Sequence, residues 1–114
     1  IPVMDGRHVF KMATTSMVEV ARSVLQKNGV APDQLKLVLM HQANKRINEY
    51  CAKALGLREE QVPHNIHKYG NTTAATIPLL WDECRRDGRL QPGDLVLLVA
   101  FGAGMTWGAS LVRA

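Results

Sequence analysis

The spacing of apolar residues changes along the chain in a way that predicts alternating helices and strands. Between residues 8 and 28 apolar positions recur every three or four residues, the spacing of one helix face. The run KLVLM is almost continuously apolar and fits a buried strand. In order, the predicted elements are a helix over 8–28, a strand over 36–40, a helix over 43–55, a strand over 62–66, a helix over 72–87, a strand over 94–101 and a strand over 106–114.

Turn residues separate these elements and set the topology. Gly29, Gly56 and Gly88 follow the three helices as stop signals. Pro78 falls in the second turn of the third helix and indicates a kink or a late start. The segment FGAGMTW leaves no room for a crossover, so the last two strands must be antiparallel. The pattern predicts one α/β domain over 1–114, with a mixed, mostly parallel sheet and helices packed on it.

Composition narrows the class of protein. Apolar residues make up 46% of the 114 residues and charged residues 21%, which is typical of a globular protein. The chain shows no apolar run long enough to span a membrane and no signal peptide, so we expect a cytoplasmic protein. It does not begin with methionine, and we expect a fragment or a processed product. The net charge of +4 is dispersed and aromatic residues are 5%, which argues against nucleic-acid binding.

The cysteines and histidines do not form a recognisable metal pattern. Cys51 and Cys84 are far apart and belong to no CxxC motif, so we interpret them as buried, reduced thiols. His64 and His67 are three residues apart, but no HExxH or Cys–His spacing accompanies them. We therefore expect no metal ion.

Two polar residues occupy positions where catalytic groups gather in α/β proteins. His41 follows the strand at 36–40 directly, and Asn71 takes the equivalent place one unit later, after Gly70. The helix N-terminus beyond His41 disfavours imidazolium, so a neutral ring can donate a hydrogen bond to a developing oxyanion. From these residues alone the alternatives stay open: His41 as a structural cap of the turn, and Asn71 as a helix N-cap.

The glycines of FGAGMTWG invite comparison with a phosphate-binding loop. Such loops open a helix, whereas a strand-like segment follows here. We expect instead that Gly102, Gly104 and Gly108 allow a tight bend that brings backbone N–H groups close to a ligand.

Three blocks in order give the chain a family resemblance over essentially its whole length. HQANKRI, YGNTTAATIP and GDLVLLVAFGAGMTWGASLVR strongly resemble the C-terminal half of β-ketoacyl-acyl-carrier-protein synthase III, a condensing enzyme with the thiolase fold. The resemblance implies that His41 and Asn71 are two members of a Cys–His–Asn active site. The nucleophilic cysteine of that family lies in the N-terminal half, and neither Cys51 nor Cys84 matches it.

The same resemblance implies roles for further residues. The oxyanion loop would be Gly102, Ala103 and Gly104, with the Ala103 N–H as donor, although many relatives carry glycine at that position. Residues matching the substrate channel are Gly6, Phe10, Ala43, Asn44, Ile47 and Phe101. Residues matching the basic surface that receives the acyl carrier protein are Lys11, Arg46 and Lys53; a merely solvated face is the alternative for these cations.

The implied reaction condenses an acyl-CoA primer with malonyl-acyl-carrier protein to start fatty acid synthesis. Coenzyme A and carrier-protein thioesters are then substrates, and no separate cofactor is expected. The expected partners are the N-terminal half of the same enzyme and a second copy in a homodimer. Two alternatives remain at this point: a secondary-metabolism acyltransferase forming an ester or amide, and a non-catalytic structural half-domain.

Overall fold

A computed structural model describes residues 6–40, 45–63, 76–102 and 106–114. Its helices and strands are α1 (Gly6–Lys27), β1 (Leu37–Met40), α2 (Lys45–Ala54), α3 (Thr76–Arg86), β2 (Leu95–Gly102) and β3 (Thr106–Arg113). Short 3-10 turns span Pro32–Gln34 and Glu59–Gln61. Within the described part, no helix is long and apolar enough to cross a membrane.

The three strands form a mixed sheet in the order β1, β2, β3. β1 pairs with β2 in parallel, with Met40 opposite Val99. β2 pairs with β3 in antiparallel fashion over its whole length, from Leu95 opposite Arg113 to Gly102 opposite Thr106. This confirms the mixed sheet and the predicted antiparallel end, which follows from the short connection between the last two strands.

Helices cover both faces of the sheet, which explains why β1 and β2 are apolar at successive positions. Towards α1 and α2, β1 presents Val38 and Met40 and β2 presents Leu97 and Val99. Towards α3 the alternate residues Leu37, Leu39 and Val96 pack against Leu80 and Cys84. All four residues of β1 are buried, as expected of a strand that is covered on both sides.

The predicted helices and strands agree with the structure to within a few residues where both can be compared. Gly29, Gly56 and Gly88 have φ values of 63°, 72° and 85°, the left-handed conformation that ends a helix. Pro78 is the third residue of α3, in its first described turn, where a missing N–H is tolerated. The strand predicted over 62–66 differs: Val62 and Pro63 follow the second 3-10 turn and belong to no strand, while 64–66 lie outside the described residues.

A buried glutamine joins the two 3-10 turns that precede and follow the first strand–helix unit. The Gln61 side-chain amide donates to the carbonyl oxygens of Pro32 (3.0 Å) and Leu35 (2.8 Å). Its Oε1 accepts from the backbone N–H of Arg58 at 2.7 Å. Because Gln61 is only 1% exposed, these bonds replace the water that it loses on folding. The side chain thereby fixes where β1 begins.

Candidate active site

Two strands end at the same edge of the sheet, where the sequence predicts catalytic groups. β1 ends at Met40, the residue before His41, and β2 ends at Gly102, the residue before Ala103. Since the two strands are parallel, their carboxyl ends lie on one side. Ligands of open α/β sheets bind at this edge.

The third element that leads to the same edge is α3. Its C-terminal end lies at the opposite side of the sheet, where the Leu90 N–H donates to the Cys84 carbonyl oxygen at 3.1 Å, shortly before β2 begins. The Lys36 N–H donates to the Leu95 carbonyl oxygen (2.9 Å) and marks this side as the amino end of both strands. The helix therefore runs back across the sheet, and its first described residue, Thr76, begins the helix on the side of the carboxyl edge. Asn71 precedes Thr76 by five positions in the sequence.

Several predicted site residues lie outside the described residues. These are His41, Ala43, Asn44, Asn71, Ala103 and Gly104. His64 and His67 lie outside as well. Among the described residues no cluster of three or more histidine, cysteine, aspartate or glutamate side chains could hold a metal ion. The catalytic roles and the expected absence of a metal stay predictions.

The other residues predicted for the substrate channel fall on described elements. Gly6 and Phe10 belong to the first turns of α1. Phe101 and Gly102 form the end of β2, where their backbones pair with Trp107 and Thr106 of β3. Ile47 lies on α2, half-buried, and packs against the core between the sheet and the first two helices. The structure thus brings Phe101 and Gly102 to the carboxyl edge, and α2 follows that edge directly.

Helix α2 has a buried face and an opposite exposed face. Asn48 and Cys51 on the buried face are each 1% exposed, and Leu55, the residue after the helix, is 7% exposed. Arg46 and Lys53, both predicted for carrier-protein docking, are exposed on the other side. With about 3.6 residues per turn, these two cations share one face of the helix. The helix geometry therefore agrees with a common role for them.

Contacts between α1 and α2 place the third predicted docking residue. The Cys51 thiol donates to the Thr14 carbonyl oxygen at 3.9 Å, and Arg22 Nη2 donates to the Ala54 carbonyl oxygen at 2.9 Å. Along this contact, therefore, residues nearer the C-terminal end of α1 meet residues nearer the C-terminal end of α2. Lys11, which is exposed and one turn before Thr14, accordingly lies towards the end of α2 that carries Arg46.

The sequence interpretation missed two residues of this surface. Arg22 closes the C-terminal end of α2 by the hydrogen bond to Ala54, which no local pattern indicates. Tyr50 lies on the exposed face of α2 between the two cations and is 53% exposed. Its position was available from the i, i+4, i+7 spacing of Arg46, Tyr50 and Lys53.

Both cysteines are buried, free thiols, as the sequence interpretation proposed. Burial raises the pKa of Cys51 to about 11, because a thiolate would lose its hydration there. Burial also raises the pKa of Cys84, with opposing contributions from Arg89 and from Asp87 and Glu83. Since the thiolate is the nucleophilic form, neither side chain has the properties of a catalytic cysteine near neutral pH.

This pKa predicts that Cys51 in the folded protein resists alkylation. At pH 8 a pKa of about 11 in place of 9.0 leaves about a hundredfold less thiolate, and burial limits reagent access further. Labelling with iodoacetamide followed by peptide mapping should show Cys51 modified at least about a hundredfold more slowly in the folded protein than in denaturant. Equal rates in both conditions would contradict the buried thiol.

Comparisons with known proteins agree with this arrangement. Residues 25–114 match the family model described as 3-oxoacyl-[acyl-carrier-protein] synthase III C terminal. A β-ketoacyl-[acyl-carrier-protein] synthase III from Aquifex aeolicus is 50% identical over 110 residues, which are 96% of this chain and 36% of the relative. The crystal structure of the 3-oxoacyl-[acyl-carrier-protein] synthase III from that organism superposes with a TM-score of 0.94 at 49% identity, covering 98% of this chain and 36% of that one. The synthase III structure from Thermus thermophilus gives a TM-score of 0.92 at 43% identity and covers 98% and 35%.

The fold is therefore thiolase-like, with a mixed sheet between helices, and is similar to that of the solved synthase III structures. The chain belongs to the 3-oxoacyl-[acyl-carrier-protein] synthase III C-terminal family. It spans about a third of the length of the curated relatives that it matches.

Proposed function

We propose that this chain is the C-terminal catalytic half of a β-ketoacyl-acyl-carrier-protein synthase III. The complete enzyme would condense an acyl-CoA primer with malonyl-acyl-carrier protein and start fatty acid biosynthesis. The observation that carries the proposal is the identity of 50% over 96% of the chain to a synthase III. The chain itself carries the motifs HQAN and GNTTAA. These motifs adjoin β1 and precede α3, the described elements that converge on one edge of the sheet.

The reaction has two parts. First, a cysteine thiolate attacks the acyl-CoA carbonyl, a new thioester forms, and coenzyme A leaves. Malonyl-carrier protein then loses carbon dioxide, and the electron pair of the broken carbon–carbon bond forms an enolate. That carbanion attacks the acyl-enzyme carbonyl, a carbon–carbon bond forms, and the cysteine leaves as thiolate. The product is a 3-oxoacyl-carrier protein.

Negative charge builds up on two oxygen atoms during these reaction steps. The chain offers hydrogen-bond donors for both oxygens. His41 and Asn71 would donate hydrogen bonds to the malonyl thioester oxygen as it takes enolate character. The backbone N–H of Ala103, between Gly102 and Gly104, would donate to the carbonyl oxygen of the acyl-enzyme. Neutral, preorganised donors stabilise such charges best, because they need no rearrangement when the charge forms.

The nucleophilic cysteine would come from the N-terminal half. Burial and raised pKa values argue against Cys51 and Cys84 in that role. The relatives are about three times as long as this chain, which leaves room for such a half. We further propose that the complete enzyme is a homodimer and that thioesters of coenzyme A and carrier protein are its substrates, with no additional cofactor. Formation of 3-oxoacyl-carrier protein from both substrates by the complete enzyme tests the proposal directly.

The remaining site residues would guide the substrate arm. Gly6, Phe10, Ala43, Asn44, Ile47 and Phe101 would line the channel for the pantetheine group. Lys11, Arg46 and Lys53 would receive the acidic carrier protein. The exposure of all three cations, and the shared face of the last two on α2, support this surface.

The docking role predicts a substrate-dependent effect of charge reversal. In the complete enzyme, Arg46→Glu with Lys53→Glu should raise the KM for malonyl-carrier protein and leave activity with a small malonyl thioester nearly unchanged. The increase should shrink at high salt, since exposed charges are screened. Initial rates with malonyl-carrier protein and with the small malonyl thioester, each at two salt concentrations, measure the change in KM.

Charge reversal at Arg85, an exposed residue of α3, is the matched control and should not raise the KM. An equal loss of activity with malonyl-carrier protein and with the small malonyl thioester would reject the docking role and indicate damage to the fold.

A further inference from the structure

Tyr50 is unusual among the apolar side chains of the described residues. It is 53% exposed, and Leu79 at 36% is the other exposed large apolar side chain in the same part of the chain. Tyrosine buries more apolar surface in contacts than most side chains, and its hydroxyl can hydrogen-bond at a wet boundary. An isolated exposed aromatic side chain carries little information, so its surroundings decide what it can do.

The surroundings of Tyr50 are set by the geometry of α2. Arg46 lies four residues before it and Lys53 three residues after it, and both are exposed. At about 100° per residue, the three side chains fall within an arc of roughly 60° on the helix. The opposite face is fixed by the burial of Asn48 and Cys51, so α2 cannot rotate to hide Tyr50.

An apolar ring between two cations complements a partner of particular chemistry. Such a partner presents an apolar side chain between carboxylates on one surface. In protein interfaces tyrosine and arginine frequently carry most of the binding energy, while surrounding charges guide association. An acidic carrier protein meets this description, whereas nucleic acid would favour a more continuous basic surface.

We propose that Tyr50 is an apolar anchor for the acyl carrier protein, seated between Arg46 and Lys53. The inference rests on the proposed synthase function and adds a contact that charge alone does not supply. Arg46 and Lys53 would speed the approach of the carrier protein, and Tyr50 would slow its departure by burying the ring against an apolar side chain.

The test uses the complete enzyme with malonyl-carrier protein and with a small malonyl thioester. Tyr50→Ala should raise the KM for malonyl-carrier protein about five- to thirtyfold and leave the rate with the small thioester unchanged. Tyr50→Phe, which keeps the ring, should stay close to wild type. Unlike the effect of Arg46→Ala, the effect of Tyr50→Ala should persist at high salt, because apolar contacts are not screened.

Truncation of Gln26, an exposed residue of α1, serves as the control and should change neither KM. An unchanged KM for malonyl-carrier protein in Tyr50→Ala would overturn the inference, and so would an equal loss with both malonyl donors. A change of oligomeric state with an unchanged KM would overturn it as well and assign Tyr50 to a contact between copies. A wild-type enzyme that forms no 3-oxoacyl product would instead refute the proposed function itself.

Discussion

Replacing His41 or Asn71 by alanine in the complete enzyme should slow malonyl decarboxylation by roughly a hundred- to a thousandfold. Loss of one preorganised donor typically raises the barrier by about 2.7–4 kcal/mol. In the proposed mechanism neither variant removes the cysteine that takes up the acyl group. Release of carbon dioxide from malonyl-carrier protein, measured as an initial rate, reports the step directly.

Two further substitutions separate the donor role from simple damage. Asn71→Asp conserves the size of the side chain but places a carboxylate beside the developing enolate, so it should be at least as slow as Asn71→Ala. His41→Gln keeps a neutral donor and should recover part of the rate lost in His41→Ala. If Asn71→Asp decarboxylated malonyl-carrier protein at the wild-type rate, Asn71 would not be a donor to the enolate.

The second large effect concerns the 114 residues in the absence of the proposed N-terminal half. The 114 residues alone should form no detectable 3-oxoacyl product, because burial raises the pKa of both Cys51 and Cys84 and keeps their thiols neutral. Incubation with acyl-CoA followed by mass spectrometry should find no acyl group on either thiol. In the complete enzyme the acyl group should appear on a cysteine outside these residues.

Matched variants of the complete enzyme make this assignment specific. Cys51→Ala and Cys84→Ala should both retain acyl transfer, since neither thiol takes part. An acyl group mapped to Cys51 or Cys84, or product formed by the 114 residues alone, would contradict the division of the active site between two halves.

Local sequence signals were sufficient for most of the described fold. The spacing of apolar residues located α1 because one helix face packs on the sheet, and Gly29 ended it because the left-handed conformation there costs glycine little. The antiparallel pairing of β2 and β3 followed from a connection too short for a crossover. In these cases the physical cause lies within a few residues of its effect.

Features that depend on distant contacts were not predictable in the same way. Gln61 is buried because its amide meets carbonyl oxygens of Pro32 and Leu35, 29 and 26 residues away in the sequence. From its residue type alone, a glutamine would be expected at the surface. Val62 and Pro63 looked like the start of a strand, yet they follow the 3-10 turn that Gln61 anchors.

In the candidate site, too, some features could be predicted from local sequence signals and others could not. The residue pattern placed His41 after a strand but did not by itself favour catalysis over a structural cap of the turn, since both roles need a polar side chain at a strand exit. The resemblance over three motifs, and not the spacing, assigned the catalytic roles. Tyr50 is a further case: the spacing puts it on the same helix face as Arg46 and Lys53, and the burial of Asn48 and Cys51 shows that this face is the exposed one.

Single-turnover kinetics of the His41→Ala complete enzyme test the central claim most directly. Acylation of the cysteine by acyl-CoA and carbon dioxide release from malonyl-carrier protein are followed side by side by rapid quench. The family resemblance implies that the nucleophilic cysteine lies at the start of a helix. A thiol there has a lowered pKa and does not need His41 as an obligatory base, so acylation should fall little. Decarboxylation should fall by roughly a hundred- to a thousandfold. Retained decarboxylation with lost acylation would contradict the account and would make His41 the base that activates the cysteine.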